Sequence, residues 1–402
     1  MALIVQKYGG SSVATTEKIQ LIAEKVVAEK RKGNRIIAVV SAMGKTTDNL
    51  IDLAREINPS PPEKEMDILL STGEMVSVAL LCMAIENLGE AAEGFPGYFA
   101  GIKTDSVHTK ARIQTIEPAR IMTEVEKGNI VVIAGFQGIS PESAITTLGR
   151  GGSDLTAIAI AAAVRADACE IYTDVDGVFT ADPNLVPAAK SIHAISYEEM
   201  LEMASTGAKV MLSRAVEFAK RYNVPFSVRS TFGKGEGTMV KEIELKEGAD
   251  VSAVSLDEKQ AKITIFRVPD RPGISSRIFA ALGKEHINVD VIVQNVSKEN
   301  YADISFTVNI ADAEKTFGIT KDIGKELAAE NVICDREIAK VSIIGIGMMN
   351  HPGVAGRMFN VLAKENINIE MISTSEIKIS CVVRKSDGVR ALKALHRDFI
   401  ES

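Results

Sequence analysis

Two short turns in this 402-residue chain carry a cation among glycines and hydroxyls. The first, Lys7-Tyr8-Gly9-Gly10-Ser11-Ser12, directly follows the apolar run Ala2–Val5. The second, Gly149-Arg150-Gly151-Gly152-Ser153-Asp154, directly precedes the apolar run Leu155–Val164. Glycine lets main-chain N–H groups approach an anion, and a following helix N-terminus adds partial positive charge. Together the two turns point to phosphate. Lys7, just ahead of Gly9-Gly10, is placed to neutralise phosphoryl oxygens as a point charge, or is simply a lysine ending a strand. Arg150 offers a planar fork for a carboxylate or phosphate. Asp154 reads as a helix N-cap before Leu155, a catalytic carboxylate, or both. Ser71-Thr72-Gly73-Glu74 reads as a turn opening a helix Met75–Glu86, with Glu74 either a first-turn acid or a seat for a substrate ammonium.

The elements that must position these residues alternate. Buried-strand patterns fall at Leu3–Gln6, Arg35–Val40, Ile130–Ala134, Cys169–Tyr172 and Pro225–Val228, with helical patterns such as Thr16–Lys32 and Thr156–Ala166 between them. Continuous apolar strands separated by helices predict a largely parallel sheet covered on both faces. In such sheets ligands sit beyond the carboxyl ends of the strands. Lys7, Ser41, Phe136-Gln137-Gly138 and Thr173-Asp174-Val175-Asp176 each follow a strand, so one sheet edge collects them. Ordinary polar turns would explain any one of these, but explain the set less well. Gly44-Lys45-Thr46 imitates the end of a Walker A loop, yet Val39 stands where its first glycine belongs.

Bulk figures narrow the class. A net charge of −7 and the absence of tryptophan argue against a nucleic-acid surface. The four cysteines are scattered with no Cys-x-x-Cys pair, which predicts neither a disulfide framework nor a zinc knuckle and fits a reducing compartment. The five histidines show no metal-ligand spacing, so no metal-binding residue is assigned. The longest apolar stretches, Met75–Ile85 and Leu155–Val164, are too short to span a bilayer, and the N-terminus does not read as a signal peptide. A soluble cytoplasmic enzyme is expected.

The C-terminal third repeats itself. Arg271–Asn295 aligns without gaps to His351–Ser375, sharing Pro272/Pro352, Gly273/Gly353, Arg277/Arg357, Phe279/Phe359, Leu282/Leu362 and Asn288/Asn368. The first copy reads as a βαββαβ unit; the second lacks its last strand, which the segment 250–255 would supply. The expected layout is a catalytic domain over 1–230, a linker over 231–249, a first repeat over 262–340, and a second repeat made of 250–261 and 341–402, with the first inserted into the second.

The chain resembles the aspartate kinases, in their monofunctional, lysine- and threonine-regulated bacterial form. The resemblance rests on Lys7–Val13, Val40–Gly44, Ser71–Glu74, Gly101–Asp105, Gly135–Gly138, Thr147–Asp154, Tyr172–Pro183 and Gly207–Val210, and runs nearly end to end. Glu93–Phe99 and Met211-Leu212-Ser213 depart from the family pattern. The resemblance implies an amino-acid-kinase fold plus two ferredoxin-like ACT domains, the amino-acid-sensing modules of the family. It implies ATP-dependent phosphorylation of the aspartate side-chain carboxylate, the first step towards lysine, threonine and methionine. Lys7, Asp154 and Arg150 would be catalytic. Lys7, Tyr8, Gly9, Gly10, Ser11, Thr173, Asp174, Phe179, Asp182 and Lys209 would hold ATP, with Mg²⁺ carried mainly by phosphates and water. Ser41, Thr47, Glu74, Arg150, Gly151, Gly152 and Ser153 would hold aspartate. Lysine and/or threonine would bind at Asp270, Gly273, Ile274, Ser275, Asn288, Val289 and Gln294 in one repeat, and at Asn350, Val354, Asn368 and Ile369 in the other. ACT pairing would make a homo-oligomer, with a separate C-terminal subunit from Met239 a further option.

Three alternatives stand beside this. A sister kinase for another acid would share the phosphate-binding sheet but not the Lys7 motif, the Glu74 segment and the tandem repeats together. A regulatory binding protein with a decayed catalytic domain is opposed by the intact Lys7, Arg150 and Asp154. A dehydrogenase fusion would need a further dinucleotide-binding pattern.

Overall fold

A computed structural model describes residues 1–207, 210–233, 235–243, 251–296, 300–351 and 353–401. The chain forms two compact units: Met1–Val178 with Ser191–Ala204 and Lys209–Glu244, and Phe179–Lys190 with Ser205–Ala208 and Leu245–Ser402.

The first unit is built on an eight-stranded sheet in the order Ala194–Ile195, Thr238–Val240, Phe226–Ser230, Ala168–Thr173, Leu3–Tyr8, Arg35–Val40, Ile130–Ala134, Ala92–Phe95. The strands from Phe226–Ser230 to Ala92–Phe95 pair in parallel. Their sequences follow from that position. Ile36–Val40 and Ile130–Ala134 are buried at every residue, because helices cover both faces of a parallel sheet. Thr238–Val240 pairs antiparallel with Phe226–Ser230, so the sheet extends into the stretch 231–249 read as linker. A second, four-stranded sheet of short polar strands (Ile113–Ile116, Ile102–Thr104, Gln137–Ile139, Ile145–Thr147) has no counterpart in the sequence reading.

Two helix boundaries correct the sequence expectation. The helix expected from Met75 spans Glu63–Asn87, so Ser71–Glu74 lies within it and opens nothing. At 25 residues it is long and apolar enough to cross a membrane, unlike the Met75–Ile85 stretch alone. One face nevertheless buries Asp67, Ser71, Glu74 and Ser77 inside the unit, the pattern of a core helix. The helix expected from Thr156 begins at Gly152, capped by Gly151 at φ +74°, so Asp154 sits in the first turn and not at the cap.

The second unit holds two antiparallel four-stranded sheets, each carrying two helices. One runs Val289–Val296, Tyr301–Asn309, Gln260–Pro269, Asn331–Asp335, with helices Ile274–Lys284 and Ala313–Glu326. The other runs Ala253–Asp257, Ile338–Ile344, Lys378–Arg384, Met371–Thr374, with helices Val354–Lys364 and Gly388–His396. Each is the ferredoxin-like arrangement of its repeat. Ala253–Asp257 pairs antiparallel with Ile338–Ile344. Ion pairs cross between the sheets reciprocally. Lys262 in the first strand of one repeat meets Glu370 of the other, and Lys340, in the matching strand, meets Asp290. Segment 179–190 belongs to this unit too, with Ala181 and Val186 in the second sheet's core and Thr180 Oγ1 2.9 Å from Nε2 of the buried His396.

Candidate active site

The strands of the large sheet end in register, and each exit is stitched to its neighbour. Lys7 and Tyr8 lie level with Val39 and Val40 on one side and with Ile171 and Tyr172 on the other. Beyond them the Gly9 N–H donates to Tyr172 O at 3.2 Å, Ser41 N–H to Tyr8 O at 3.1 Å, and Gly135 N–H to Val40 O at 3.0 Å. The turns therefore share one edge because four parallel strands stop together.

Lys7 and Asp154 meet there. Lys7 Nζ lies 2.6 Å from Asp154 Oδ1, and both side chains are about nine-tenths buried. A buried ion pair of this kind persists because each partner compensates the other's lost hydration. Asp154, in the first turn of its helix, brings that helix N-terminus to the lysine. Gly9 keeps the ammonium uncovered, since a Cβ there would sit 3.3 Å from Nζ. Gly10 is needed for close approach: its carbonyl accepts the Gly44 N–H of the next turn at 3.0 Å, and a Cβ would lie 2.9 Å from Ala42 O.

Ala42 is held from the other side by Glu74, whose Oε1 accepts the Ala42 N–H at 3.2 Å. Gly73 permits this contact, as a Cβ would stand 2.8 Å from Ala42 Cβ. Glu74 is 3% exposed, and its Oε2 finds no hydrogen-bond partner among the described residues. Burial pushes its carboxyl up to about 7, with the Ala42 N–H and the nearby Gln137 amide offsetting only part of that cost. A buried carboxylate with one empty oxygen is a seat for a cation. Gln137 ties the same helix to the sheet exits, donating to Ser71 O at 2.7 Å and accepting from Gly97 N–H at 3.2 Å.

Arg150 stands at the mouth, 83% exposed in its side chain, with Nη2 2.7 Å from Asp48 Oδ1, one residue after Thr47 on the helix Thr46–Ile57. Gly151 and Gly152 start the Asp154 helix, and Ser153 is buried against Gly135. Thr173 O accepts from both the N–H and Oγ1 of Thr231, whose Oγ1 lies 2.6 Å from Ser12 Oγ, and Thr173 Oγ1 bonds Asp174. The lysine turn and the Thr173 turn are thus joined through Thr231.

Other expected residues are placed differently. The Tyr8 ring is fully buried and stacked on Tyr172 at 5.0 Å, so it packs the core and turns no side chain to a ligand. Phe179 and Asp182 belong to the second unit, and Asp182 Oδ1 is occupied by Asn184 N–H and Nδ2. Lys209 and the Asn350 side chain lie outside the described residues. In the first repeat Gly273 caps its helix at φ +95° and Ser275 Oγ donates to Gln294 Oε1 at 3.0 Å, while Asp270 and Asn288 are exposed. In the second, Gly353 caps the matching helix before Val354, Asn368 is exposed and Ile369 half-buried. Sequence reasoning missed Asp67, a fully buried carboxylate bonded to His108 and Thr147. Its signal was an acid seven residues before Glu74 in an apolar stretch, two helical turns away on one face.

A lysine–carboxylate pair at a glycine-lined helix N-terminus, beside a buried acid, is the arrangement of a phosphotransferase. Comparisons with known proteins agree. The amino acid kinase family model matches residues 2–230, and ACT domain models match 262–328 and 341–399. The chain is 48% identical to an aspartokinase of Mycolicibacterium smegmatis (99% of this chain, 96% of the relative) and 49% identical to an aspartate kinase of Stutzerimonas stutzeri (99% and 97%). The structure of Escherichia coli aspartokinase III in complex with aspartate and ADP superposes with a TM-score of 0.84 at 25% identity, covering all of both chains. The chain belongs to the aspartokinases, amino acid kinases that carry two ACT domains, and its activity is that of an ATP-dependent aspartate kinase.

Proposed function

We propose that this site transfers the γ-phosphoryl of MgATP to the side-chain carboxylate of L-aspartate, giving 4-phospho-L-aspartate, and that lysine and/or threonine restrain it through the two repeats. The observation that carries the catalytic half is the 2.6 Å Lys7–Asp154 pair among Gly9, Gly10 and the N-terminus at Gly152. Lys7 faces the β- and γ-phosphates, with Gly9, Gly10 and Ser11 lending donors. Asp154 holds the ammonium in place and is not the base. None is needed, because the attacking carboxylate is already ionised at neutral pH. Arg150, leaving Asp48, takes the α-carboxylate, and Glu74 Oε2 takes the α-ammonium, with Ser41, Thr47 and the Gly151–Ser153 N–H groups around them. Thr173 and Asp174, at the exit of their strand, flank the nucleotide. With Asp154 committed to Lys7, Mg²⁺ rides on the phosphates and water. Rate comes from alignment and from neutralising charge that develops on the transferring group. Aspartokinase III of E. coli, solved with aspartate and ADP, supports the ligand set.

The regulatory half rests on the repeats. Ser275 and Gln294 close one edge of a helix N-terminus suited to an amino-acid carboxylate. The edge strands Val289–Val296 and Met371–Thr374 expose Ile292 and Ile372 at equivalent positions, apolar edges that another chain's repeats would cover. Aspartokinase III of E. coli was also solved with lysine and aspartate, in a T-state. The reaction is cytoplasmic, where the free thiols stay reduced, and it opens the route to lysine, threonine and methionine. The test is hydroxylamine trapping of the acyl phosphate formed from aspartate and ATP, with and without lysine plus threonine. Product that both effectors suppress supports the whole account; product at an unchanged rate with both present refutes the regulatory half; no product from aspartate refutes the catalytic half.

A further inference from the structure

We propose that Asp67 and His108 form a positioning pair that sets the Thr147–Asp154 turn, and with it Arg150, for the acceptor amino acid. Asp67 is fully buried. Its Oδ1 accepts from Thr147 Oγ1 at 2.5 Å, its Oδ2 lies 2.7 Å from His108 Nδ1, and both oxygens share the Thr109 N–H at 3.1 Å. His108 is the one basic side chain in that set. A desolvated carboxylate depends on every such donor, so it pulls the segments that carry them into one place.

The segment it captures is strained. Thr109 adopts φ +61°, a left-handed conformation that a β-branched residue takes only when its surroundings impose it. What that strain accomplishes is contact with the substrate turn. The Thr109 carbonyl lies 3.3 Å from where a Cβ on Gly149 would stand, and Gly149 itself is at φ +82°. Ala111 N–H donates to Thr147 O at 2.9 Å, and Arg214 bridges Leu148 O and Ala111 O at 2.9 Å each. Residues 108–111 and 147–149 are therefore clamped together immediately before Arg150.

The clamp and the ammonium seat share one helix. Asp67 and Glu74 project from the same face of Glu63–Asn87 two turns apart, Asp67 to the Arg150 turn and Glu74 to Ala42. A single rigid element thus fixes the separation between the group assigned to the α-carboxylate and the group assigned to the α-ammonium. Neither Asp67 nor His108 touches substrate; both act through Arg150. The inference rests on the assignment of Arg150 to the α-carboxylate.

The test uses the full-length enzyme and separates KM for aspartate from KM for ATP. Removing one hydrogen bond to a buried charge in His108→Ala should raise KM for aspartate about tenfold and leave KM for ATP unchanged. His108→Asn, whose amide N–H can replace Nδ1–H, should restore it to near the wild-type value. Asp67→Asn should act in the same direction, and should it fail to fold, the half-buried His108 still decides. In an Arg150→Ala background the His108→Ala change should add nothing further, because both act through one group. An unchanged KM for aspartate in His108→Ala, an equal rise for both substrates, or full additivity with Arg150→Ala overturns the proposal. An Arg150→Ala enzyme with normal KM for aspartate refutes the Arg150 assignment alone, and the contrast between His108→Ala and His108→Asn then still judges the pair.

Discussion

Glu74 makes the account sensitive to pH in a way that can be worked through. Its carboxyl sits at about 7 in the free protein because burial, not a neighbouring charge, dominates its environment. Only the ionised form can seat an α-ammonium. At pH 6 roughly one tenth of the free enzyme would carry that charge and at pH 8 roughly nine tenths, so kcat/KM for aspartate should rise about ninefold between them. The bound ammonium would itself hold Glu74 ionised, so kcat at saturating aspartate should be nearly flat over the same range. The isosteric Glu74→Gln should abolish the acidic limb and lower kcat/KM at pH 8 by about 10²-fold, the worth of one hydrogen bond to a charged group. Stability should move the other way. A folded pKa above the unfolded 4.5 means stability is fully present below pH 4.5 and lost as pH rises through 7, about 3 kcal/mol from this group. Glu74→Gln should therefore be relatively more stable at pH 8 than at pH 5.5 in denaturant titrations. Initial-rate assays of ADP release across pH 5.5–8.5, on wild type and variant, decide. An acidic limb that survives in Glu74→Gln, or one that appears equally in kcat, would refute the ammonium-seat assignment.

Four further outcomes follow from the geometry. Lys7→Ala should lose ~10²–10³ in kcat, as removal of one transition-state donor does. It should also cost about 3–5 kcal/mol in stability by stranding the buried Asp154, so adding Asp154→Asn should recover the melting temperature but not the rate. Gly10→Ala pushes a Cβ to 2.9 Å from the Ala42 carbonyl, and kcat/KM for ATP should fall at least about tenfold. Gly283→Ala, facing open space in a helix, should leave activity intact and raise stability by ~0.5–1 kcal/mol. Between the repeats, the Lys340 side chain is 1% exposed and that of Asp290 36%. Asp290→Asn should therefore destabilise more, by about 3–5 kcal/mol, than Lys340→Met, which leaves an acid that water can reach. Urea unfolding in the opposite order would contradict that burial.

Much of the fold was legible because its strands are sheltered on both faces. Ile36–Val40 and Ile130–Ala134 are apolar without alternation, as strands of a covered parallel sheet require, and the Arg271 and His351 copies announce their own equivalence. Lys7 and Arg150 were conspicuous because their glycines mark backbone that must stay open. What the sequence hid are residues whose meaning is tertiary. The sheet through Ile102–Thr104 and Gln137–Ile139 has strands too short and polar to show a period. Glu63–Asn87 begins with acids after a Pro-Pro pair and its longest apolar run starts only at Met75, so Ser71–Glu74 reads as a turn. Asp67 and His108, 41 residues apart, gain their role only where the chain folds the two segments together. The join through Thr231 was likewise invisible within a stretch that reads as linker.

The central claim, that the γ-phosphoryl of ATP passes to the aspartate side chain at the Lys7–Asp154 pair, is tested most directly by ³¹P NMR of the purified enzyme with MgATP and aspartate. The account predicts an acyl-phosphate resonance growing with ADP, abolished in Lys7→Ala and absent when aspartate is omitted. ADP and inorganic phosphate appearing at the same rate with or without aspartate would contradict it.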